Sequence, residues 1–67
     1  MAAMTWANDQ VRLLLAQRGR EDLRPIFTRE DLEALRDEHG GGCFTTVTLL
    51  PWLTLWVERQ VLAAGPR

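Results

Sequence analysis

Residues 43–57, CFTTVTLLPWLTLWV, carry no charge and lead into a helical pattern with too much apolar surface. At helical spacing from Pro51, the polar stripe consists of Pro51, Thr54 and Glu58, widened later by Arg59 and Gln60. Trp52, Leu53, Leu55, Trp56, Val57, Val61 and Leu62 take most of the remaining circumference. A helix that is apolar nearly all round must be covered on more than one side. A chain of 67 residues has few elements with which to cover it.

The ordinary supplements for so small a core are narrowed by composition. Single cores below roughly 70–80 residues rarely supply more than about 3–5 kcal/mol, and disulfides, metals, association or good helix packing make up the difference. Cys43 is the only cysteine and His39 the only histidine, so neither an internal disulfide nor a zinc-type ligand set is available. Helix packing and association are left. With 46% apolar and 25% charged residues the chain reads as globular, a single small helical domain over 1–67.

Three helical segments are expected, over about 6–18, 29–39 and 51–64, which makes the fold all-α. Thr5 or Asn8 can cap the first, whose apolar positions Ala7, Val11, Leu14 and Leu15 recur on one face, and Gly19 follows where a left-handed residue is needed. Residues 19–27 read as a connector, with a short helical turn near Glu21 and with Leu23, Ile26 and Phe27 apolar enough to return to the core. The second helix has the clearest start: Thr28 with Asp31 as a capping box, and Phe27 with Leu32 as a hydrophobic staple. Its apolar stripe, Leu32 and Leu35, is narrow, and Gly40, Gly41 and Gly42 end it. The β-branched residues 43–48 predict a short extended segment, after which Pro51 suits the first turn of the third helix.

No constellation of residues assembles a reaction centre. Asp37 to Thr48 partly fits an EF-hand-type loop with Gly42 as its turn glycine, but the closing bidentate glutamate is missing. Calcium binding is not expected; a metal-free loop of that shape stays open. His39 and Cys43 give two groups without an orienting third, so the plainer roles of helix end and small half-buried hydrophobe are preferred. The acidic group Glu30, Asp31, Glu33, Asp37 and Glu38 reads as a solvated face. No catalytic residue, metal ligand or cofactor is expected.

Net charge is −1 and the pI about 5.7, so no overall basic field favours nucleic acid. The uncharged run, about 15 residues with a proline, is shorter than the roughly 20 that span a bilayer. No secretory signal is visible, and a cytoplasmic protein is the default expectation. The function expected is a non-enzymatic protein-interaction module: an adaptor, assembly factor or inhibitor of the kind frequent among phage-encoded and regulatory proteins. It would dock Trp52, Leu55, Trp56 and Arg59 on a protein partner or on a second copy as a homodimer. The alternative is a small helical nucleic-acid binder using Arg12, Arg18, Arg20 and Arg24.

Overall fold

The computed structural model describes residues 2–42 and 45–66, with side chains from residue 4 onward. It consists of three helices, α1 (Ala2–Gln17), α2 (Arg29–Glu38) and α3 (Thr46–Ala64), with no β-strand among the described residues. The all-α three-helix class is therefore as the periodicity predicts.

The helix ends follow local chemistry. Thr28 and Asp31 form the expected reciprocal box: the Asp31 N–H donates to Thr28 Oγ1 at 3.2 Å, and the Thr28 N–H donates to Asp31 Oδ2 at 2.9 Å. Both satisfy backbone donors that a helix start leaves without partners. α1 and α2 close with the same C-terminal device. Arg20 N–H reaches the Leu15 carbonyl and Gly19 N–H that of Ala16; Gly41 N–H reaches the Arg36 carbonyl and Gly40 N–H that of Asp37. Each closure needs one left-handed residue, and Gly19 (φ 68°) and Gly40 (φ 91°) supply it.

Two predicted starts move. α1 begins at Ala2, so neither Thr5 nor Asn8 caps it. α3 begins at Thr46, so the extended segment foreseen over 43–48 is helical from 46 on, and residues 43 and 44 lie outside the described part. The reason is a second reciprocal box. The Thr45 N–H donates to Thr48 Oγ1 at 2.8 Å while the Thr48 N–H reaches Thr45 Oγ1 at 3.4 Å. Threonine thus acts as a cap here, against its β propensity. Pro51 consequently sits inside the helix, where it removes the bond to the Val47 carbonyl, a loss that can reach about 3 kcal/mol. The extension offsets that loss by carrying Leu49 into the core.

The core is one cluster: Ala7, Val11 and Leu15 from α1, Phe27 from the connector, Leu35 from α2, and Leu49, Leu53, Trp56 and Val57 from α3. α1 lies along α3, and α2 contributes mainly Leu35, with Leu32 partly buried beside the cluster. Of the connector's apolar residues, Phe27 is sealed and Leu23 is half-buried. Ile26 is a correction, being 73% exposed.

Asn8, proposed as a cap, has a tertiary role instead. Its side-chain amide pairs with the backbone of Phe27, Nδ2 donating to the Phe27 carbonyl at 3.0 Å and Oδ1 accepting the Phe27 N–H at 2.9 Å. An extended connector residue with no strand neighbour must satisfy both groups somewhere, and this one side chain satisfies both. Asn8→Ala should cost about 1–3 kcal/mol in urea unfolding, because it leaves two partly buried backbone groups without partners. The neighbouring Asp9→Ala, which loses only an exposed ion pair to Arg12, should fall within about 0.5 kcal/mol of the parent.

Candidate functional site

α3 has three longitudinal zones. Its core zone is Leu49, Leu53, Trp56 and Val57. At about 100° per residue, Trp52 and Arg59 fall together on one flank. Val47, Pro51, Leu55 and Leu62 fall on the side away from the core, and all four are exposed.

The flank zone is occupied by the end of α2. The His39 ring stacks on Trp52, with centroids 4.6 Å apart and planes 6° from parallel. One residue earlier, Glu38 accepts two hydrogen bonds from Arg59, each 2.8 Å. The closing turn of α2 places Glu38 and His39 side by side, and the seven-residue spacing of Trp52 and Arg59 presents one α3 flank to both. The Arg59 hydrogen bonds hold the Glu38 carboxyl below its ordinary range despite the smaller opposing effect of desolvation; the nearby positive charges of Arg59 and His39 act in the same sense. Arg59 is raised in turn, chiefly by the same bonds.

The four residues expected to meet a partner are therefore distributed among different roles. Trp56 is corrected: it is only 8% exposed, and its ring meets Phe27 edge-on at 5.1 Å, so it belongs to the core. Trp52 and Arg59 join α2 to α3. Leu55 alone stands on the outer face, 37% exposed. Beside it on that face are Leu62, 76% exposed and already among the apolar residues counted in the sequence, and two residues not expected there, Val47, 79% exposed, and Pro51. Their signal was present in the spacing of Val47, Pro51, Leu55 and Leu62. Starting the helix at Pro51 left Val47 off the wheel and counted Pro51 as polar.

The arginines proposed for phosphate contact are engaged within the chain. Arg12 pairs with Asp9 at 2.7 Å, Arg18 pairs with Glu58 on α3, and Arg24 donates to the Glu21 carbonyl. Arg20 bonds Asp22 and donates to the Gly65 carbonyl at 2.7 Å, closing the C-terminal end of α3. Beside them an open groove of about 350 Å³ runs between α1 and the connector, lined by Arg12, Leu15, Leu23, Arg24, Pro25 and Ile26 among others. It is shallow. Its two arginines point to acceptors on their own chain.

Among the described residues, no three His, Cys, Asp or Glu side chains are grouped so as to hold a metal ion. His39 is the C-cap of α2, and Cys43 lies outside the described residues, so the His39–Cys43 pairing is not placed. No described helix is long and apolar enough to cross a membrane. Comparison with known protein families, curated proteins and solved structures finds no match for this chain.

The lowered Glu38 pKa fixes a sign for acid behaviour. A carboxylate depressed in the folded state contributes stability above its unfolded pKa, and that contribution disappears as pH falls through the folded value. Thermal melts taken downward from about pH 5 should therefore lose stability more steeply in the parent than in Glu38→Gln, which has no carboxylate to protonate. Equal acid slopes would show that the pair contributes nothing in solution.

Proposed function

We propose that this chain is a non-enzymatic protein-interaction module, an adaptor, assembly factor or inhibitor, that docks through the outer face of α3. One observation carries the reading. Six large apolar side chains are exposed among the described residues (Leu13, Ile26, Val47, Leu50, Leu55 and Leu62); four lie on α3, and three of these, Val47, Leu55 and Leu62, share its outer face. Single exposed leucines are ordinary on any protein, whereas a row on one element marks an interaction surface. Leaving these groups in water forfeits part of the roughly 1.5–3 kcal/mol that full burial of each would return.

The face is also favourable in its electrostatics. Its charges, Glu58 between Val47 and Leu62 on the helical wheel and Arg59 on the flank, are paired with Arg18 and Glu38, so a partner need not desolvate an unpaired ion there. The contacts made by Arg12, Arg18, Arg20 and Arg24 favour a protein partner over nucleic acid, since phosphate binding would have to compete with acceptors already in place.

A photo-crosslinking residue substituted for Leu62 tests the reading in cells expressing the chain. Adducts with protein are expected from that site and not from the same residue placed at Glu33 on the exposed side of α2. Equal yields from the two positions, or adducts with nucleic acid alone, would defeat the proposal.

A further inference from the structure

We infer that α2 opens as a separate unit from the body formed by α1, Phe27 and α3, and that it serves as a lid over one edge of the outer α3 face. The inference rests on the reading of that face as a docking surface and adds what regulates its width. Three observations set α2 apart. Its backbone bonds are self-contained: among the described residues, helix and caps close between Thr28 and Gly41, so losing α2 breaks no backbone bond of α1 or α3. Its hold on the body is thin. Leu35 is its one buried residue, Leu32 is partly buried, and Glu38 and His39, which meet Arg59 and Trp52, are themselves exposed. The chain is also placed to swing at both ends. Phe27, just before α2, stays fixed to Asn8 and Trp56; beyond α2, Gly40, Gly41 and Gly42 form a turn where an added side chain would meet open space. Segments with few buried apolar contacts open at lower free energy than the rest of a fold. A ten-residue helix is marginal once released, so opening melts it.

What the lid covers gives its opening a consequence. At about 100° per residue, Arg59 lies about 40° and Trp52 about 60° from Leu55 around α3. The Trp52–Arg59 flank is thus continuous with the outer face, and Glu38 and His39 form the border between them. With α2 released, Arg59 and the His39-covered side of Trp52 join Leu55 and Leu62 in one wider face. A protein partner that uses this flank binds the open state alone and shifts the chain toward it.

Hydrogen exchange of the full chain tests the inference, followed amide by amide by NMR under conditions where exchange tracks the opening equilibrium. Relative to unfolded-peptide rates, the amides from Leu32 to Gly41 should exchange together and at least about tenfold faster than the core amides of α1 and α3, such as those of Leu15 and Leu53. Val11→Ala removes a core side chain that the open state still buries between α1 and α3. It should speed the α1 and α3 amides about tenfold and leave those of α2 unchanged. Arg20→Ala, a milder break in the same body through loss of the bond to the Gly65 carbonyl, should show the same asymmetry. Equal protection across the three helices, or α2 amides accelerated by these two substitutions as much as those of α1 and α3, would overturn the inference. Either result leaves protein adducts from position 62 as a separate test of the proposed function.

Discussion

Phe27 is the residue through which all three helices are joined. Its peptide is held on both sides by the Asn8 side chain of α1, its ring meets Trp56 of α3, and its C-terminal neighbour Thr28 caps α2. A short connector with a proline two residues earlier would otherwise be poorly anchored. Fixing the Phe27 backbone to α1 sets where α2 begins, and burying its ring sets where α2 stands relative to α3. The amphipathic stripe of α2, Leu32 and Leu35, is too narrow to define that position by burial alone. The capping geometry and this one anchored side chain supply the difference.

The opposite end of α2 is fixed by polar and stacking contacts. Three successive glycines with positive φ turn the chain away after His39, and the turn leaves Glu38 and His39 facing the α3 flank. An exposed bidentate pair contributes little alone, as does one exposed stacked ring pair. Together with a buried Leu35 they hold a ten-residue helix that would be marginal in isolation. Two of the side chains suspected of serving an outside partner, Trp52 and Arg59, are used here for internal assembly.

The apolar excess of α3 is thereby divided rather than removed. One side is sealed by α1, Phe27 and Leu35, one flank is covered by the end of α2, and the outer side, Val47 through Leu62, stays in contact with solvent. α1, α2 and the connector cover two sides of α3 and no more. The surplus inferred from counting residues is real, but its centre lies about a quarter of a turn from Trp52 and about a third of a turn or more from Trp56. Aromatic rings are the groups a small core most needs, so the tryptophans are drawn inward and the smaller β-branched and aliphatic residues remain outside.

Local chemistry settled what is local. The helical class, the Thr28–Asp31 cap, the left-handed Gly19, and the buried positions Ala7, Val11, Leu15 and Leu35 follow from caps and 3.6-residue spacing, which depend on near neighbours in the chain. The start of α3 is obscured in the sequence because threonine serves equally in a strand and as a cap; the Thr45–Thr48 box and the gain from placing Leu49 in the core together make residues 46–48 helical against an interior proline. Asn8, Trp52, Trp56 and Arg59 could be assigned only by tertiary structure, because their partners Phe27, His39 and Glu38 lie between 13 and 29 residues away in the chain. Periodicity specifies which side chains share a helix face; which of those faces is covered depends on where the other helices come to rest.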